Sequence, residues 1–260
     1  MRETILMHRL RKPNIISQHS PMNRMEVVPI EKRSPLLSLA GNSHIDILDE
    51  SRNAPLCGGN KMRKLSAILH GEICKGLLTM GSTYSNHCLA TACCGALLGL
   101  PVRLLIVETV PCKPSRFPNL NLAHRLGAEL VFIPPPEARK RIDEERECYK
   151  DYFWIPGGGH TRKGLEVYRS WFRRIIDDHP NLKKKDWVVL PFGTGTTALG
   201  ILQAIVDLNL EIQVIGISVA RTKEACEESI KELGVPVEER RLKIVDCFAG
   251  QYGKRESHHH

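Results

Sequence analysis

The residues best suited to chemistry in this 260-residue chain fall in three short runs, each set where a turn should open a helix. The first, Cys57-Gly58-Gly59-Asn60-Lys61-Met62-Arg63-Lys64-Leu65, places a lysine in the first helical turn after a flexible glycine pair. The positive end of the helix dipole disfavours an ammonium there and lowers the lysine pKa towards the neutral amine that Schiff-base chemistry needs. A solvated, capped helix start would carry the same residues. The second run, Thr83-Tyr84-Ser85-Asn86-His87, makes a polar nest whose N–H groups and hydroxyls can clamp a carboxylate. An N-cap without a ligand is as natural a reading. His87, on the first turn of an apolar helix, reads more readily as a structural hydrogen-bonding residue than as a base. The third, Gly193-Thr194-Gly195-Thr196-Thr197, lies between a buried strand and a helix, where open backbone N–H groups and the helix dipole favour an anion such as phosphate. A tight strand-to-helix turn with no ligand fits it equally well.

Gly193-x-Gly195-x-x-Ala198 also satisfies a loose dinucleotide fingerprint, which keeps an NADP-dependent oxidoreductase as a rival. That reading wants an acid about 20 residues further on, where Ser218-Val219-Ala220-Arg221 offers none, although Arg221 suits the 2′-phosphate of NADP. No phosphate loop of the G-x-x-x-x-G-K-[ST] type occurs. The nine cysteines show no C-x-x-C and no metal-like spacing, so buried thiols in a reducing compartment are expected, and no metal. The net charge of +8 is scattered over Arg9, Arg11 and Lys12, over Arg139-Lys140-Arg141 beside Asp143, Glu144 and Glu145, and over Lys183-Lys184-Lys185. Without interleaved aromatics these are solvated faces, and nucleic acid is not an expected partner. No apolar run reaches the roughly 18 to 20 residues of a membrane span, and the first residues lack the order of a secretory signal. A cytoplasmic protein without a membrane partner is therefore expected. His258-His259-His260 reads as a purification-tag remnant.

The elements that must position these residues alternate strand and helix. Gly76–Met80 is strand-like, a helix covers about 85–98, and strands near 102–107 and 129–133 flank a helix near 119–126. Pro134-Pro135-Pro136 and the charged stretch after it interrupt the pattern. It resumes with a strand at 152–156, Gly157-Gly158-Gly159 and a helix near 165–176. The clearest crossover is last: strand 187–191, the glycine-threonine turn, helix 198–208, strand 213–219 and helix 223–233. This is an α/β protein with parallel sheets covered by helices on both faces. The first 35 residues show no firm periodicity.

Three weak signals in a fixed order are stronger together than apart. G-G-N-K-x-R-K-L, S-N-H and G-T-G-T-T resemble the motifs of the aminocyclopropane-carboxylate deaminase and D-cysteine desulfhydrase family of pyridoxal-phosphate enzymes, with Gly157-Gly158 and Gly164 resembling that family's G-G…G segment. The resemblance runs from about Cys57 to Tyr252. It implies a two-domain type II (tryptophan synthase β-like) fold with pyridoxal 5′-phosphate as cofactor: residues 1–73 and 151–257 form the larger cofactor-binding domain and 74–150 the smaller one. It implies that Lys61 forms the internal aldimine, that Ser85 and Asn86 lie beside the substrate carboxylate and the cofactor's phenolic oxygen, and that Gly193, Thr194, Gly195, Thr196 and Thr197 hold the phosphate. Tyr84 and His87 complete the substrate side, and Tyr252 resembles a tyrosine near the substrate. Lys61, Ser85 and Tyr252 are the expected catalytic residues.

The expected reaction is that of a lyase or deaminase giving a keto acid and ammonia from a small amino acid, with the freed Lys61 amine removing the Cα proton. S-N-H is closer to the desulfhydrase branch than to the deaminase branch, which often has glutamine after S-N, so D-cysteine or a related β-substituted amino acid ranks first and cyclopropane ring opening second. Tyr84 stands where the family often has glutamine. The family continues through further helices and strands, which carry a residue facing the pyridine nitrogen, and this chain is expected to lack them. A non-catalytic cofactor-binding paralogue of the same fold is the alternative. A homodimer is expected.

Overall fold

The computed structural model describes residues 35–39, 42–108, 113–218 and 221–246. Tyr252 and the first 34 residues lie outside them. The described chain opens with an antiparallel hairpin, β1 (Leu36–Leu39) and β2 (Asn42–Leu48). Lys185 fastens β2 to the body through the His44 carbonyl, 2.9 Å away, and Asp46, 2.7 Å away.

Helix α1 (Asn60–Leu69) leads into a four-stranded sheet built from β3 (Gly76–Gly81), β4 (Val102–Val107), β5 (Glu129–Ile133) and β6 (Tyr152–Ile155). The spatial order is β5-β4-β3-β6 and every pair is parallel. The crossovers are α2 (Asn86–Leu98), α3 (Pro118–Arg125) and α4 (Ala138–Cys148). Strand β6 lies past residue 150, the expected end of the smaller domain, yet pairs in register with β3 from Gly76↔Tyr152 to Thr79↔Ile155 and carries this sheet with it. Met62, Leu65 and Leu69 of α1 are fully buried against α2 and β3. Each contributes about 2 kcal/mol by leaving water, enough to fix the face α1 turns inward.

The second sheet is parallel, in the order β7-β8-β9, from β7 (Trp187–Phe192), β8 (Gln213–Ser218) and β9 (Leu242–Val245). Helices α5 (Arg162–Asp178), α6 (Thr196–Asp207) and α7 (Lys223–Glu232) build its core. A Cβ on Gly200 would sit 2.5 Å from the Leu165 carbonyl, so α5 and α6 pack backbone to backbone there. Val188, Leu190 and Phe192 of β7 turn into this core, while Trp187 and Val189 on the opposite face are about half exposed. Among the described residues no helix is long and apolar enough to cross a membrane. The seven described cysteines are free thiols, five of them buried.

Candidate active site

The lysine turn is shaped before the lysine begins. A Cβ at Gly58 would fall 1.8 Å from the Ser51 carbonyl oxygen, and Gly59 holds φ 100°, so both positions need glycine. Buried Asn53 closes the loop: the Gly59 N–H donates to its Oδ1 (3.1 Å) and to the Glu50 carbonyl (2.7 Å), while its Nδ2 donates to the Glu50 carboxylate (3.1 Å). Glu50 in turn holds α1 through a two-pronged ion pair with Arg63, both bonds 2.7 Å, and accepts the Tyr168 hydroxyl of α5 at 2.9 Å. The helix therefore starts at Asn60 with no side-chain cap, and its Met62 N–H turns back to the Gly59 carbonyl at 3.1 Å.

Lys61 and Lys64 lie one turn apart on α1. Lys64 is 1% exposed and its Nζ donates to the Gly158 carbonyl at 2.5 Å. Burial pulls the Lys61 pKa below its ordinary value, partly offset by the bond to Lys64. Burial, followed by the charge and hydrogen bond of Lys61, pulls Lys64 down much further. The sequence pointed to the helix terminus as the source of a lowered lysine pKa; in the structure burial is the first cause.

His87 sits against this pair. It is 3% exposed, and its Nε2 lies 2.9 Å from the Thr79 hydroxyl, which donates to the Ile155 carbonyl at 2.7 Å. Since Thr79 spends its proton on the carbonyl, Nε2 carries the imidazole hydrogen and Nδ1 is a bare acceptor. Nδ1 has no hydrogen-bond partner among the described residues. Burial, then the charges of Lys61 and Lys64, push the His87 pKa well down. The side chain joins α2 to β3 and β6.

In the polar nest Ser85 is the N-cap of α2, its Oγ accepting the Cys88 N–H at 3.1 Å. Asn119 of α3 donates to both the Tyr84 carbonyl (3.1 Å) and Asn86 Oδ1 (2.8 Å), and the Tyr84 ring meets Phe117 edge-on at 5.0 Å. Asn86 and Tyr84 are thus oriented by α3 and the residue before it, and Ser85 by its own cap.

The glycine-threonine turn lies directly against the lysine helix. Asn60 Nδ2 donates to Thr197 Oγ1 at 3.0 Å across 137 residues of sequence. Nothing lies within 4 Å of a Cβ built on Gly193, while Gly195 takes φ 78° with its Cβ position 2.7 Å from the Phe192 ring. Helix α6 starts from Gly195 without a side-chain cap, so its first N–H groups and its dipole face the opening beside Gly193. The hydroxyls are less available than the sequence suggested. Thr196 is buried with Oγ1 2.7 Å from His160 Nδ1, and Thr194 Oγ1 lies 3.1 Å from Thr196 Oγ1. Gly158, at φ 71°, brings its Cβ position to 3.0 Å from Thr194, which joins the triple-glycine loop to the turn.

The structure therefore gathers Lys61, His87 and the Gly193–Thr197 turn around the end of β6 and the glycine loop after it. Tyr252 is outside the described residues. Sequence reasoning missed Lys64, Asn60, Thr79 and His160 as parts of the site. A second lysine three residues after the first, and a histidine directly after three glycines, were the available signals. Ser218 Oγ accepts the Arg221 backbone N–H (3.2 Å) and donates to the Arg221 carbonyl (2.9 Å), which shapes the chain after β8 and leaves the Arg221 side chain exposed.

Parallel sheets joined by helical crossovers, an open helix terminus suited to an anion and two lysines on the helix beside it, one of them buried, define an enzyme class built around a phosphate-bearing carbonyl cofactor. The chain belongs to the pyridoxal-phosphate dependent enzyme family, whose profile matches residues 27–251. A putative 1-aminocyclopropane-1-carboxylate deaminase of Thermotoga maritima is 30% identical over 214 residues, 74% of this chain and 66% of that protein. Its counterpart in Pyrococcus horikoshii is 28% identical over 264 residues, 93% of this chain and 79% of that protein. A solved structure described as an ACC deaminase homologue superimposes with a TM-score of 0.70 at 26% identity, covering 90% of this chain and 76% of that one. The chain thus spans between about two thirds and four fifths of these relatives' lengths.

The residues present fit the cofactor. The uncapped terminus of α6 beside the open Gly193 suits a phosphate, and burial favours the neutral amine at Lys61 that a carbonyl needs.

Proposed function

We propose that this chain is a lyase or deaminase that converts a small amino acid to a keto acid and ammonia, acting either on D-cysteine or a related β-substituted amino acid or on a cyclopropane amino acid. The observation that carries the reading is the direct contact of the lysine helix with the anion turn, Asn60 to Thr197 at 3.0 Å, with buried Lys64 and half-buried Lys61 on the same helix. When bound, pyridoxal phosphate supplies an electron sink for charge developing at the substrate Cα.

The chain's own groups then divide the work. Gly193 to Thr197 and the α6 terminus hold the phosphate, and Lys61 provides the attachment amine and afterwards the base that takes the Cα proton. Lys64, whose Nζ donates to the Gly158 carbonyl, anchors the lysine helix against the glycine loop, while burial favours the neutral amine at Lys61. Ser85 and Asn86, the latter oriented by Asn119, receive the substrate carboxylate at the start of α2, with Tyr84 beside them. His87 stays neutral behind the lysines and fixes α2 against β3 and β6. Tyr252 is assigned to the substrate side by resemblance alone. The reading includes a homodimer in the cytoplasm.

The preference for D-cysteine rests on His87 following Ser85-Asn86. Purified protein loaded with pyridoxal phosphate is to be offered D-cysteine, L-cysteine and 1-aminocyclopropane-1-carboxylate, with keto acid, ammonia and sulfide quantified. Sulfide and keto acid in equal amounts from D-cysteine support the first choice, and keto acid from the cyclopropane substrate alone supports the second. No keto acid from any of the three, with cofactor bound, contradicts both and favours the non-catalytic paralogue.

A further inference from the structure

Four side chains around the anion turn close a ring of hydrogen bonds that no motif announced. His160 Nε2 lies 2.8 Å from the Ser229 carbonyl, which can only accept, so Nε2 carries the hydrogen. In the neutral ring Nδ1 is then an acceptor, and the Thr196 hydroxyl 2.7 Å away must donate to it. With its proton committed, Thr196 can only accept from Thr194 Oγ1, 3.1 Å away. Ser229 Oγ closes the circuit by donating to the Thr194 carbonyl at 3.2 Å. The Thr196 and Thr194 directions follow from the first, and the Thr194 carbonyl fixes that of Ser229. The neutral state is the favoured one, because burial lowers the His160 pKa, helped by the charges of Lys64 and Arg221 and only partly offset by the Ser229 carbonyl and by Glu232, 3.6 Å from Nε2.

We propose that His160 is a positioning residue for the phosphate-binding turn: its Nε2–H tautomer commits the Thr194 and Thr196 hydroxyls inward and leaves Thr197 as the hydroxyl that donates to phosphate. Thr197 Oγ1 accepts from Asn60, which occupies a lone pair and leaves its O–H available. The ring also ties the turn to α7 through Ser229, so the α6 N–H groups are held before the anion arrives and little ordering cost falls on binding. This inference rests on the reading of Gly193 to Thr197 as the phosphate site.

The test compares binding of pyridoxal phosphate with binding of pyridoxal, which lacks the phosphate, by fluorescence titration. It uses the wild type, His160→Asn, His160→Gln, His160→Leu and Thr197→Val, alongside nitrogen-15 NMR of the cofactor-free wild type. Asparagine keeps an acceptor near the Nδ1 position and glutamine a donor near the Nε2 position. The wild type should prefer the phosphate form, His160→Asn should keep that preference within about threefold, and His160→Gln, His160→Leu and Thr197→Val should each lose about tenfold, the scale of one hydrogen bond to a charged group. NMR should show the Nε2–H tautomer at pH 7 to 8. Equal binding of the two forms by the wild type removes the phosphate-site reading itself. If the wild type discriminates and His160→Gln and His160→Leu discriminate as well as it does, or if NMR shows Nδ1–H, the site stands and the role of His160 is overturned.

Discussion

Replacing Glu50 by alanine should be among the most damaging single changes outside the site. Its carboxylate takes two 2.7 Å bonds from Arg63, the Tyr168 hydroxyl at 2.9 Å and Asn53 at 3.1 Å. Arg63 is 4% exposed and Tyr168 is 1% exposed, so neither gains water when the acid is lost. Arg63 keeps its place over the Trp171 ring, 5.4 Å from the centroid, but that contact does not replace a carboxylate. Removing one partner of a buried ion pair costs about 3 to 5 kcal/mol. For a chain of this size that corresponds to roughly 6 to 20 °C in Tm. Urea unfolding of wild type, Glu50→Ala, Arg63→Met and the double variant should give the single acid variant the larger loss, with the double variant recovering part of it because no unpaired charge is then buried. A loss under about 1 kcal/mol for Glu50→Ala would refute the reasoning. So would a double variant as unstable as the sum of the two singles.

Other consequences follow from the same geometry. Lys64→Met should stabilise the cofactor-free protein by about 1 to 2 kcal/mol, since a buried amine with a strongly lowered pKa gives way to an apolar chain, while pyridoxal-phosphate affinity falls; thermal melting and titration check the two halves. Gly158→Ala should cost about 1 to 2 kcal/mol, because φ 71° is left-handed and the new methyl meets Thr194, and it should weaken cofactor binding in the same titration. His87 and His160 both have folded pKa values below the ordinary 6.5, so the unfolded chain binds more protons below that point. Their contribution to stability is therefore complete above about pH 7 and is lost as pH falls through 6.5 towards the folded values. Urea midpoints measured from pH 8 to pH 5 should decline in that window, and a flat or rising profile would contradict it.

How much of this was legible in the sequence varies with what holds each element. β4 and β5 fall on their expected residues, and α2, α5 and α6 lie within three residues of theirs, because apolar periodicity and capping residues such as Ser85 and Thr161 act locally. Helix α4 was hidden because its sequence is charged almost throughout. Its one buried acid, Glu145, is held by Arg103 of β4 at 2.7 Å, a partner 42 residues away. The β1–β2 hairpin and β9 are short and take their packing from distant residues, with Leu36, Leu48, Leu242 and Ile244 resting on the second core. In the site, Lys61 and the Gly193–Thr197 turn were visible as types at a spacing. The roles of Lys64, Asn60 and His160 were not, since each depends on a contact across more than 30 residues or on a proton placed by geometry.

The most direct test of the central claim is to load the protein with pyridoxal phosphate, reduce it with borohydride and map the labelled peptide by mass spectrometry, in wild type, Lys61→Ala and Lys64→Ala. The account predicts a single pyridoxyl group on Lys61 in wild type, its retention in Lys64→Ala with weaker loading, and its absence from Lys61→Ala. A label on Lys64 in wild type, or undiminished labelling and turnover in Lys61→Ala, would contradict it.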